Sequence, residues 1–352
     1  MSINNTRQES EVLWNKEKEQ EILHSIRTGL SLRKEIEKIV DQIWEKELDG
    51  IWFIGIGGTY ASAMQAEVYM RGRSTLPVYA ENAAEFTTTG NKRFTARSAV
   101  IFSSVSGETQ EMIAMVRKVR EIGGTIFSFI DTPDSTLTHS DMYDYLIVSP
   151  KNEQLKFYMV CQYLIYKNRE FPEYEDYCLN MEEYLPQALA ETGKEADAWA
   201  KEFAQKITAQ LRKAPDMPFY LVASGNQYGA VYSHGMCYWE EQLWIRTRVC
   251  SCQEFFHGML EVITRDTPVI LYMGEDEQRP LAERVARFLP KVCGNYTIID
   301  TREYPLTGIR EEYRGSISHL VMRAVNDRID AWLEYDLDHP LSTRRYYRQF
   351  EY

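Results

Sequence analysis

Short apolar runs alternate along this chain with longer, mostly polar segments in which apolar positions return every third or fourth residue. Ile51–Ile56, Val78–Ala80, Ala99–Phe102, Thr125–Ile130 and Tyr145–Val148 read as buried strands, with helical segments between most of them. Ahead of them, Leu32, Ile36, Ile39, Val40 and Ile43 mark a helix that the spacing predicts to start from a cap at Ser31. Gly57-Gly58-Thr59 reads as a tight turn and Tyr60–Tyr69 as the helix behind it. Strand and helix in alternation predict an α/β fold with a mainly parallel, doubly wound sheet.

The pattern then repeats. Phe219–Ala223 reads as a strand, Ser224-Gly225-Asn226 as a turn, Tyr228–Trp244 as a helix, and Val269–Met273 and Tyr296–Ile299 as further strands. Ala84-Glu85-Phe86 ends 28 residues after Gly58, and Gln253-Glu254-Phe255 ends 30 residues after Gly225. Two copies of one α/β unit follow. The chain therefore divides into an N-terminal helical segment (1–48), a first α/β domain (49–167), a helical connector (168–213) with Leu185, Leu189, Ala196 and Trp199 at helical spacing, and a second domain with a tail (214–352).

The third strand of the first copy runs into Ser104-Val105-Ser106-Gly107-Glu108-Thr109, just before the helical Gln110–Ile113. A helix N-terminus carries backbone N–H groups without internal partners, and Ser104, Ser106 and Thr109 add hydroxyl donors there. Gly107 lets the backbone pass close to a ligand. A helix cap needs one hydroxyl, not three, so the turn is read as a phosphate site. At the matching point the second copy has Gly274-Glu275-Asp276-Glu277, whose three carboxylates repel phosphate. One phosphate site per chain is expected.

Composition narrows the choice of partner. The 352 residues are 44% hydrophobic, enough for two cores, and 52 acidic against 40 basic residues give a formal charge of −12. No basic block is present to follow a nucleic-acid backbone, so an anionic substrate must be met by local donors. Residues 1–18 are polar, and no apolar run approaches the roughly 18–20 residues of a membrane span. A cytoplasmic protein with no membrane or nucleic-acid partner is expected. Cys161, Cys178, Cys237, Cys250, Cys252 and Cys293 are scattered and read as reduced thiols. Cys250-Ser251-Cys252 lacks a second ligand pair, so neither a metal nor a cofactor is expected.

In order and spacing, Gly57-Gly58-Thr59, Ala84-Glu85-Phe86, Ser104–Thr109 and Phe256-His257-Gly258-Met259-Leu260-Glu261 resemble proteins with two tandem sugar isomerase (SIS) domains, like the isomerase half of glucosamine-6-phosphate synthase. The family's H-G-P-L-E has Met259 in place of proline here, and the synthase's glutaminase domain has no counterpart. A narrower resemblance is to bacterial fructosamine-6-phosphate deglycases, whose tail R-R-Y-Y…E-Y is similar to Arg344-Arg345-Tyr346-Tyr347 and Glu351-Tyr352. The synthase isomerase carries a Schiff-base lysine in its tail, whereas no Lys follows Lys291 in this sequence. That departure favours a deglycase, which splits a glycated amino acid 6-phosphate of the fructoselysine, glucoselysine or fructose-asparagine kind, over a synthase-like isomerase. A phosphosugar isomerase and a non-catalytic phosphosugar sensor are the alternatives.

Cleaving a ketosamine needs a proton taken from C1, one returned to C2, and hydrolysis of the resulting imine. A carboxylate suits the first two tasks and an imidazole suits proton exchange at the sugar oxygens. By resemblance these roles fall on Glu241, six residues after Gly235 and sixteen before His257, and on His257; Glu240 competes for the register. The resemblance also implies Gly57, Thr59, Ser104, Ser106, Gly107 and Thr109 in substrate binding, Glu153 in a substrate loop, and a homodimer or higher oligomer in which the His-bearing turn reaches a neighbouring subunit's site. Glu254 and Glu261 are read as ion-pairing or turn-orienting groups, Glu254 also as a substrate contact. Glu108 is read as a carboxylate favoured by the helix dipole.

Overall fold

The computed structural model describes residues 8–347, 349 and 350; residues 1–7 and, from the tail motif, Arg348, Glu351 and Tyr352 lie outside the described residues. The chain divides into two compact units, with both boundaries inside helices, between Leu23 and His24 and between Glu182 and Glu183. The first elements are α1 (Glu9–Val12), α2 (Lys16–Ser31) and α3 (Arg33–Trp44). Ser31 is the last residue of α2 and not the cap of α3. Its hydroxyl donates back to the Thr28 carbonyl at 2.8 Å, and Leu32 stands at the N-cap without a side-chain bond. Only Leu32 separates the two helices, which leaves no extended residue from which a serine could reach forward.

The unit holding residues 24–182 continues with β1 (Gly50–Gly55), α4 (Gly58–Arg71), β2 (Val78–Asn82), α5 (Ala83–Thr89), β3 (Ser98–Ser104), α6 (Gln110–Ile122), β4 (Thr125–Ile130), β5 (Tyr145–Val148) and α7 (Glu153–Lys167). The five strands pair in parallel in the order β2-β1-β3-β4-β5. β1, β3 and β4 are buried along their whole length, which is why they read as unbroken apolar runs. Trp52, Val100 and Phe102 from the sheet pack with Phe86, Met115 and Val116 from the helices in one core. Each such side chain contributes about 1.5–3 kcal/mol on burial. The winding direction reverses between β1 and β3, so the loops leaving these strands diverge and open a crevice at their carboxyl ends.

The helix α8 (Tyr174–Lys213) carries the chain into the other unit, which contains β6 (Phe219–Ala223), α9 (Asn226–Ser233), β7 (Thr247–Ser251), α10 (Cys252–Phe255), β8 (Val269–Met273), α11 (Arg279–Val292), β9 (Tyr296–Asp300) and α12 (Glu311–Asp336). Its parallel sheet has the order β7-β6-β8-β9, the order of the first four strands over again. β7 escapes the sequence pattern because Thr-Arg-Val-Cys-Ser is a polar edge strand with little to bury. The helix expected over Tyr228–Trp244 is shorter and irregular. α9 passes into a π-helical segment, His234–Glu240, and Trp244 takes a left-handed φ of 58°. No helix among the described residues is long and apolar enough to cross a membrane.

Candidate active site

The turn after β3 shows how its residues divide their work. Ser104, buried at the strand end, accepts the Gly107 N–H at 3.0 Å, and Ser106 Oγ accepts the Glu108 N–H at 3.2 Å. Gly107 has φ +66°, and a Cβ there would lie 1.9 Å from Ser135 Oγ, so no other residue fits. Thr109 is the N-cap of α6, yet its side chain makes no cap bond. Glu108 is turned away from the helix start: its carboxylate accepts from Thr136 N at 2.6 Å and Thr136 Oγ1 at 2.7 Å. The backbone bond from Thr136 holds its carboxyl below the usual range. The expected dipole carboxylate thus serves a neighbouring loop.

Gly57, with φ +60°, stands at the N-cap of α4 after β1. Thr59 closes this turn on itself, accepting the Ile56 N–H at 3.0 Å and donating to the Ile56 carbonyl at 2.9 Å. Its hydroxyl therefore shapes the loop.

Glu153, in the first turn of α7, reaches back to the end of β3, where its carboxyl takes hydrogen bonds from Ser103 and from Ser62 of α4. Burial pushes its pKa up, against the opposing pull of those bonds and of Lys156. Lys156 is wholly buried, donates to the Ser149 carbonyl at 2.7 Å and lies 3.4 Å from Asp131; burial pushes its pKa down. Ser62, Ser103, Asp131 and Lys156 carry no motif. Sequence reasoning missed them because Lys156 stands in an apolar helix, and only the packed sheet end brings these groups together.

In the other unit, Asp330 of α12 holds both ends of the π-helical segment. His234 Nε2 lies 2.9 Å from Asp330 Oδ1, and Trp239 Nε1 donates to the same oxygen at 3.1 Å. Beyond it the two candidate glutamates part company. Glu240 accepts the Thr247 N–H at 3.1 Å and the Thr247 hydroxyl at 2.6 Å, at the start of β7. Glu241 pairs with Arg344 Nε at 2.8 Å. His257 is exposed on the turn after α10, its N–H bonded to the Glu254 carbonyl at 2.9 Å, while Met259 is buried and packs into the core. Glu254 and Glu261 are exposed. Among the described residues, Glu241 and His257 make no hydrogen bond to each other.

The turn after β6, the counterpart of the one after β1, is closed by the chain's own carboxylate. Asp276 Oδ2 accepts the Asn226 N–H at 2.5 Å, Oδ1 accepts the Gln278 N–H at 3.0 Å, and Gln278 Oε1 accepts the Gly225 N–H at 3.2 Å. A Cβ on Gly225 would lie 2.0 Å from Asp276 Oδ2. Glu275 is tied by Arg314 in a two-armed pair at 2.8 and 2.9 Å. The anion-attracting end of α9 is thereby satisfied internally. The Cys252 thiol is buried and pushed up to about 12. No His, Cys, Asp and Glu group suited to a metal occurs among the described residues.

Residues 46–165 match the SIS domain family. Over 332 residues the chain is 27% identical to fructosamine deglycase FrlB of Bacillus subtilis, covering 91% of this chain and 98% of that protein. It is 26% identical over 315 residues to fructoselysine 6-phosphate deglycase of Escherichia coli K12, covering 89% of each. A candidate phosphosugar isomerase from Bacillus subtilis superposes with a TM-score of 0.82 at 25% identity, covering 91% of this chain and 97% of that one. The C-terminal domain of glucosamine-fructose-6-phosphate aminotransferase from Francisella tularensis superposes at 0.69 with 13% identity over 90% of this chain, a likeness of fold.

Proposed function

We propose that this chain, an SIS-domain protein over residues 46–165 with a second unit of the same strand order, is a deglycase acting on a glycated amino acid 6-phosphate. The observation that carries the reading is the Ser104–Thr109 hydroxyl turn at the carboxyl end of β3, beside the point where the strand order reverses, in a chain similar to deglycases over nine-tenths of its length. Ser104, Ser106, Gly107 and Thr109 hold the 6-phosphate, with the Gly57–Thr59 turn beside them and Glu153 facing the sugar. Glu241 is the base rather than Glu240, whose carboxylate is committed to Thr247.

The reaction balances without a cofactor. Glu241 takes the C1 proton of the ketosamine, giving an enaminol, and returns a proton to C2, giving the imine. Water then adds at C1, the C–N bond breaks, and hexose 6-phosphate and the free amino acid leave. His257 exchanges protons with the sugar oxygens. All six cysteines are free thiols, which supports a reducing, cytoplasmic setting.

The test is a panel of glycated amino acid 6-phosphates in deuterium oxide. Release of glucose or mannose 6-phosphate carrying deuterium at C2 is expected. Interconversion of hexose 6-phosphates without amine release would make the protein an isomerase, and binding without turnover would make it a sensor.

A further inference from the structure

The π-helical segment delivers Glu241 to the stretch of chain that follows α12. Arg344 and Glu241 are 23% and 25% exposed, and the Arg344 guanidinium is not free to wander. Its Nη1 donates to the carbonyls of Leu341 at 2.7 Å and Thr343 at 2.9 Å, while the Leu341 N–H donates to Glu334 at 3.0 Å and so ties this loop to α12. Beside it, the Arg345 guanidinium lies 4.1 Å from the Trp244 ring centroid, and Trp244 meets His339 edge-on at 4.4 Å. The left-handed backbone of Trp244 is costly for an aromatic residue.

From this arrangement we infer that Arg344 is a positioning residue for the proton transfer, fixing the Glu241 carboxylate through Oε1 and leaving Oε2 for the substrate's C1 proton. The inference rests on the proposed role of Glu241. The contact that Arg344 makes falls on Oε1. Arginine suits the task because its planar fork serves one carboxylate and two carbonyls at once, and its charge is permanent. An ion pair that served only the surface would leave turnover alone.

Kinetics of the full chain on an adduct that the wild type cleaves tests this. Arg344→Gln is expected to lower kcat by about 10- to 100-fold while KM stays within about twofold, the signature of a misaimed base with ground-state binding kept. Arg344→Lys, which keeps the charge but not the fork, is expected to fall between the two and remains informative should the Gln variant unfold. Arg345→Ala, which leaves the ion pair intact, is expected within about threefold of wild type, as for loss of one exposed ring contact. Wild-type kcat in the Arg344→Gln or Arg344→Lys variant, with Glu241→Gln inactive, would overturn the inference alone. Equal losses in Arg344→Gln and Arg345→Ala would reduce Arg344 to tail packing. Turnover near wild type in Glu241→Gln would instead remove the base itself.

Discussion

Glu240 ends the π-helical segment and Glu241 follows it, and one reaches Thr247 while the other reaches Arg344. Nothing in their identical side chains separates them; the π-helical insertion that turns them does. Glu153 poses a different question, since it was expected in a substrate loop and its buried partners were not legible. With its carboxyl pKa raised by burial, the stability Glu153 contributes is fully present below the ordinary carboxylate pKa of about 4.3 and is lost as pH rises through the raised value. A glutamine can still accept from Ser103 and never ionises. Glu153→Gln is therefore expected to raise the melting temperature relative to wild type by more at pH 8 than at pH 5, measured by thermal unfolding at both. The opposite trend would mean that Lys156 keeps the carboxylate ionised in the folded protein.

Two of the strand–turn–helix passages, after β3 and after β6, are finished differently. After β3 the turn carries the hydroxyls of Ser104, Ser106 and Thr109, whereas after β6 the carboxylate of Asp276 already occupies the helix N-terminus. Charge-assisted hydrogen bonds contribute on the order of 1.5–3 kcal/mol each, so Ser106→Ala is expected to raise the dissociation constant for a hexose 6-phosphate by roughly tenfold or more. Asp276→Ala is expected to leave that constant unchanged and to cost about 1 kcal/mol in stability, as loss of a helix cap does. Calorimetric titration together with thermal melts separates the two effects. Equal loss of binding in both variants would argue against a single phosphate site in the first unit. The contrast was half legible: three carboxylates after β8 argued against a phosphate there, but that one of them closes the turn after β6 depends on the parallel pairing of β6 with β8.

At the scale of the whole molecule, the hydroxyl turn stands on one unit and the proposed Glu241 and His257 pair on the other, without a bond between those two side chains among the described residues. If His257 completes a neighbouring subunit's site, mixing inactive Glu241→Gln with inactive His257→Ala protein under subunit exchange is expected to restore partial activity. No recovery despite demonstrated exchange would place both groups in one chain's site. The alternation of strands and helices, the duplication and the Ser104–Thr109 turn were determined by the sequence alone, because each depends on residue type and spacing within a short reach of chain. The edge strand β7, the π-helical turn, the plug at Asp276, the Lys156–Asp131 pair and the hold of Arg344 on Glu241 were decided only by tertiary structure. These features join groups far apart in sequence, and no local pattern of apolar and polar positions records which distant partner a buried or tethered polar side chain will meet.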